Sequence, residues 1–156
     1  MADTFVPGLI TVPMPRSAPL VKDALWPALK LCEAMLAEGL VADVLPLLVR
    51  FHPISKSAWA LQGRRPGPKD HYDSIGIDRP NVMLGVHTKL ILVDDVVTRG
   101  ATIMGCYARM HDYFPAVPIA CFGITRTIST GENSSVVLPS TGIITATSND
   151  HIHRQP

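Results

Sequence analysis

The sequence predicts an α/β chain built on a parallel sheet with helices on both faces. Apolar strand-like runs alternate with segments of helical period, at Leu9 to Val12, Val44 to Val49, Lys89 to Val93 and Pro118 to Ile124. Leu90, Ile91, Leu92 and Val93 are consecutive apolar residues, the pattern of a strand buried on both faces rather than one. The length, 156 residues, suits one domain around one core.

Leu9 to Val12 reads as the first strand. Pro13-Met14-Pro15-Arg16-Ser17 then forces a turn, because each proline fixes its own φ and restricts the residue before it. A helix follows, beginning between Asp23 and Pro27, with Leu25, Leu29, Cys32 and Leu36 expected on its buried face and Gly39 stopping it. Val44 to Val49 is the second strand, interrupted by Pro46. Residues 53–76 read as a long loop with room for one helical turn, and Val82 to Val86 as a weak strand. Lys89 to Val93 is the clearest strand, Ala101 to Tyr113 the helix after it, and Pro118 to Ile124 another buried strand. Val136 to Leu138 and Gly142 to Ala146 read as edge strands, followed by a frayed tail.

Composition narrows the function classes. The chain is 47% apolar and 17% charged with a net charge of +1, so bulk electrostatics makes no case for direct nucleic-acid or membrane binding. Apolar runs are broken well short of a membrane span, and no basic residue precedes Arg16 as a secretory leader would require, so a cytoplasmic protein is expected. Cys32, Cys106 and Cys121 are odd in number and form no C-x-x-C pair; buried free thiols are expected, with no disulfide framework or zinc site.

The chemistry concentrates at Leu90 to Thr102. A buried strand is followed by two carboxylates, Asp94 and Asp95, then by Val96, Val97, Thr98, Arg99, Gly100, Ala101 and Thr102 leading into a helix. Backbone N–H groups of such a turn and a helix N-terminus make a site for phosphate, and Thr98 and Thr102 add hydroxyl donors. Gly100 is read as letting the backbone approach the ligand. Asp94 and Asp95 can accept hydrogen bonds from neighbouring sugar hydroxyls, so that phosphate and diol together describe a ribose 5-phosphate.

Every position of this stretch fits the phosphoribosyl-pyrophosphate (PRPP) loop of the type I phosphoribosyltransferases, which the chain resembles over about residues 9–127. Val12-Pro13-Met14-Pro15 and Ile91 to Ile103 look closest to the amidophosphoribosyltransferase-like competence (ComF-like) members. Their zinc-binding cysteines and basic, Gln-containing stretch after the first strand are absent, and Arg99 stands where the family more often has a small hydroxyl residue. The resemblance implies a single Rossmann-like phosphoribosyltransferase domain with a reduced hood, transferring 5-phosphoribosyl from PRPP to a nitrogen acceptor with release of pyrophosphate. It implies Mg²⁺ held through PRPP rather than by protein ligands, Arg16, Ser17, Arg50 and Lys56 near the pyrophosphate, and a closing loop carrying Arg64, Arg65 and Lys69. A homo-oligomer or a protein partner is compatible with it. So is a different class of function, a non-catalytic PRPP or nucleotide sensor or a subunit of a nucleic-acid-linked complex such as a defence system.

The remaining polar residues read plainly. Asp70-His71-Tyr72-Asp73 reads as exposed polar loop rather than an acid–base group, and His151 with His153 is too small a set for a metal site. His52, His87 and His111 show no partner in the sequence, and Trp26 and Trp59 read as packing residues.

Overall fold

The computed structural model describes residues 8–54, 66–78, 82–84, 88–127, 139, 141–146 and 152–155. Its elements are β1 (Leu9–Pro13), α1 (Pro27–Ala37), β2 (Asp43–Val44), β3 (Leu48–Arg50), α2 (Pro68–Ser74), β4 (Ile75–Ile77), β5 (Lys89–Val97), α3 (Ala101–Tyr113), β6 (Ile119–Arg126), β7 (Ile143–Ala146) and β8 (Ile152–Gln155).

The strand buried on both faces lies in the interior of its sheet. The order is β2-β1-β5-β6, with every neighbouring pair parallel. Side chains alternate along β5, so Leu90 and Leu92 pack with Ile103, Cys106 and Met110 of α3. Ile91 and Val93 face the other way, into a cluster with Cys32 and Met35 of α1. Helices therefore cover both faces, and the expected α/β architecture is observed, compatible with a Rossmann-like fold. The chain runs from β1 outward to β2, then returns to place β5 on the other side of β1. This reversal makes the carboxyl ends of β1 and β5 the switch point of the sheet, where open α/β sheets form a crevice.

Several elements differ from expectation for definite reasons. Pro27 takes the first position of α1, where its missing N–H costs nothing. The helix therefore buries Ala28, Cys32 and Met35, while Leu25 lies ahead of it at 68% exposure and Leu36 is 40% exposed. Gly39 ends the helix as expected. At φ +69° it donates to the Leu36 carbonyl while Leu40 donates to that of Met35, the paired bonds of a left-handed helix stop.

The Val44 to Val49 strand is two strands. Pro46 has no N–H for a ladder, and beyond it the chain leaves the main sheet. β3 instead pairs antiparallel with β4. Within the expected loop 53–76, residues 68–76 belong to α2 and β4, and 55–65 lie outside the described residues. Of the expected strand Val82 to Val86, 82–84 form no strand and the rest lies outside the described residues. β5 runs on through Val97 because β6 continues beside it, placing Gly123 opposite Asp94 and Arg126 opposite Val97. The two aspartates thus sit within the strand rather than after it. The tail segment 152–155 is not frayed but pairs antiparallel with β7 in a separate two-stranded sheet. Cys32 and Cys106 are buried free thiols, whereas Cys121 is free but exposed. Val136 to Leu138 lies outside the described residues.

α2 packs directly on α3 through Gly105. A Cβ there would lie 2.6 Å from the His71 Cβ and 2.8 Å from the Pro68 carbonyl oxygen. Gly105→Ala is expected to lower unfolding free energy by about 1–3 kcal/mol through overpacking, measured by urea denaturation. Unchanged stability would contradict this docking.

Candidate functional site

Pro13 pairs with Val93, and the Met14 N–H donates to the Val93 carbonyl at 2.9 Å. The turn Pro13 to Ser17 and the segment Asp94 to Thr102 therefore leave adjacent strands side by side at the switch point. These are the two segments that the sequence marks as functional.

At the end of β5 the chain needs only Thr98, Arg99 and Gly100 to reach α3. Gly100 is buried at φ +93°, a left-handed conformation that disfavours any side chain. A Cβ on it would approach Ile144 of β7 to 2.8 Å. Backbone conformation and Ile144 packing require glycine here whether or not a ligand approaches it. The first turn of α3 holds no acidic residue, and Gly100 supplies no side-chain cap. Its N–H groups keep the capacity to bind an anion. A small hollow of about 20 Å³ lies there, lined by Asp94, Val96, Val97, Thr98, Gly100, Thr102 and Ile103.

Asp94 is half-buried, and its Oδ1 accepts from the Asp95 N–H at 3.1 Å. Successive strand residues point to opposite faces, and only Asp94 of the pair lines the hollow. Burial first, and the adjacent Asp95 charge second, push the Asp94 carboxyl up to about 7. Among the described residues, no group of three or more His, Cys, Asp and Glu is placed to hold a metal ion.

Arg16 is exposed and Ser17 half-buried on the β1 turn. Arg50 is only 3% exposed and turned inward. Its Nε donates to the Arg16 carbonyl at 2.5 Å, one Nη donates to the Ser74 hydroxyl, and the other lies 3.4 Å from His71 Nδ1. Arg50, expected near the pyrophosphate, holds the backbone of the turn through the Arg16 carbonyl. Lys69 sits on α2, exposed, with its Nζ 2.5 Å from Asp73. Lys56, Arg64 and Arg65 lie outside the described residues, as do Trp59, His87 and His151. A larger cavity of about 170 Å³ lies beside the turn, lined mainly by apolar groups such as Pro15, Leu20, Trp26 and Leu48. Trp26 packs as expected and donates its indole N–H to the Met14 carbonyl at 2.7 Å.

Sequence reading missed His71. It is buried on α2 rather than exposed in a loop, and its Nε2 lies 3.5 Å from the Thr102 hydroxyl. A usable signal existed in Gly67-Pro68-Lys69-Asp70. Proline suits the first helical position, and an acid at the third can reach back, as Asp70 does to the Gly67 N–H at 2.7 Å.

The position of Asp94 has a measurable consequence. Its folded-state pKa exceeds its unfolded value, so its contribution to stability is fully present below the ordinary carboxylate range and is lost as pH rises through about 7. Asp94→Asn is therefore expected to raise the Tm relative to wild type more at pH 8 than at pH 5. The difference should be about 2–4 °C, corresponding to ~1 kcal/mol in a domain of this size. Equal effects at both pH values would contradict the carboxyl's environment as described.

No protein-family model, curated protein or solved structure matches the chain.

Proposed function

We propose that the chain binds PRPP at the β1–β5 switch point and transfers its 5-phosphoribosyl group to a nitrogen acceptor. The observation that carries this reading is the hollow at the N-terminus of α3. It combines an uncapped helix start with no acid in its first turn, two threonines, and a carboxylate on the strand beside it. The helix start suits the 5-phosphate. Asp94 suits the ribose hydroxyls, with Asp95 adjacent to it. The turn carrying Arg16 and Ser17 runs alongside, where the pyrophosphate of the same molecule would extend.

In this reaction the acceptor nitrogen forms a bond to the anomeric carbon. The bond from that carbon to the pyrophosphate oxygen breaks, its electron pair leaves with pyrophosphate, and the nitrogen loses its proton to solvent. The transition state resembles an oxocarbenium ion, so positioning and charge stabilisation matter more than a covalent nucleophile. Mg²⁺ would offset the charge of the departing pyrophosphate. PRPP oxygens and waters would supply its ligands, and the Asp94 carboxylate, which lines the hollow, would reach it through water. Arg16 would add a cation beside the leaving group.

Calorimetry with PRPP and Mg²⁺ is expected to show a Kd between about micromolar and millimolar, the ordinary range for enzyme substrates. Asp94→Asn with Asp95→Asn should weaken PRPP about tenfold or more while the protein stays folded. Arg16→Ala should weaken PRPP but leave ribose 5-phosphate, which lacks the pyrophosphate, unaffected. No heat at millimolar PRPP from folded protein would overturn the reading. A screen of nitrogen bases for pyrophosphate release then tests catalysis and identifies the acceptor.

A further inference from the structure

The Arg50–His71–Thr102 chain of contacts has a direction, and the direction follows from donor chemistry. A guanidinium only donates, so where Arg50 Nη2 meets His71 Nδ1 at 3.4 Å, the ring nitrogen is the acceptor. A neutral imidazole carries one N–H, which then resides on Nε2. Nε2 lies 3.5 Å from the Thr102 Oγ1, so the hydroxyl is the acceptor in that contact. Both contacts are long for hydrogen bonds; they set direction more than they add stability. A hydroxyl that accepts from histidine keeps its single proton to donate elsewhere. Thr102 also lines the hollow at the start of α3.

We propose that His71 is a positioning residue, held by Arg50 as the Nε2–H tautomer, that commits the Thr102 hydroxyl to donate its proton to a phosphate oxygen in the hollow. The inference rests on the phosphate reading of that hollow given above, and it adds a residue on another element to the phosphate site.

The surroundings of His71 fit this role. Burial first and the Arg50 charge second push its pKa down to about 4, despite an opposing effect of Asp70, so the ring is neutral at pH 7. α2 is fixed against α3 at Gly105, and Arg109 stacks 3.7 Å above the Tyr72 ring while donating to the Tyr72 carbonyl at 2.7 Å. The Ser74 hydroxyl, which Arg50 contacts, donates to the His71 carbonyl at 2.9 Å. These contacts dock α2 on α3 with the His71 ring facing Thr102.

Two measurements test the proposal. Long-range ¹H–¹⁵N correlation spectra of the wild-type imidazoles, with His71 assigned by its loss in His71→Gln, should show a neutral Nε2–H ring at pH 7. An Nδ1–H ring would overturn the proposal without reference to any ligand. Calorimetry with PRPP and Mg²⁺ then compares variants. His71→Asn keeps an acceptor for Arg50 but loses the donor to Thr102, and should weaken PRPP about tenfold, the ordinary worth of one hydrogen bond to a charged group. Thr102→Val should do the same, and the double variant should be no weaker than Thr102→Val alone. His71→Gln restores a donor near the Nε2 position and should recover most of the affinity. If wild type binds, Thr102→Val is weakened, and His71→Asn binds as wild type, the positioning role alone is wrong. If wild type gives no heat, or Thr102→Val binds unchanged, the phosphate reading of the hollow is wrong and the positioning role falls with it.

Discussion

A charged guanidinium removed from water is costly unless it is hydrogen-bonded, and the arrangement around Arg50 meets that constraint. Arg50 ends β3, and its three contacts reach two places: the carbonyl of Arg16 after β1, and the Ser74 hydroxyl and His71 ring of α2. Burial lowers its pKa, yet an arginine stays ionised throughout the ordinary pH range, so the contacts carry a full charge. They tie the β1 turn to α2, and through His71 to the first turn of α3. A buried charge with partners on two elements fixes their relative positions, because drawing them apart would take hydrogen bonds from a charge that water cannot reach.

That tie operates on a frame set by β5. Its apolar residues face two separate clusters, one under α1 and one under α3, and are paired on one side with β1 and on the other with β6, while its carboxyl end from Asp94 pairs with β6. The strand stays ordered beyond its buried part because Thr125 donates to the Asp95 carbonyl at 2.9 Å. Asp94 is therefore held on a rigid element, partly desolvated, beside a short left-handed turn and a helix start. A site on a strand end and a helix start is more precise than one on a long loop.

What the sequence shows most clearly is what hydropathy and backbone chemistry encode together. The β5–α3 unit is legible because four apolar residues, a glycine that tolerates positive φ and a helical period occur in succession; the bounds of α3 match expectation. Gly39 is legible for the same reason. The buried face of α1 is less so, because Leu25 continues the apolar period but precedes Pro27, where the helix begins. α2 is nearly invisible to such reading. Pro68-Lys69-Asp70-His71-Tyr72-Asp73-Ser74 has no apolar stripe, and its buried side chains, His71 and Ser74, are polar groups satisfied by an arginine about twenty residues away. The inward turn of Arg50 is hidden likewise, since an arginine at a strand end looks the same in sequence whether it meets a ligand or a carbonyl. The succession of Asp94 and Asp95 after an apolar run is legible, but their placement within the strand depends on where β6 ends, which is a tertiary property.

Backbone amide shifts report directly where a phosphate and a ribose would bind. A ¹H–¹⁵N titration with ribose 5-phosphate, followed by PRPP with Mg²⁺, should move the amides of Thr98 to Ile103 and of Asp94 and Asp95 with either ligand. The amides of Arg16 and Ser17 should respond only to PRPP. Shifts centred on Trp26, Leu48 and Asp78 around the larger apolar cavity, with Thr98 to Ile103 unmoved, would contradict the account.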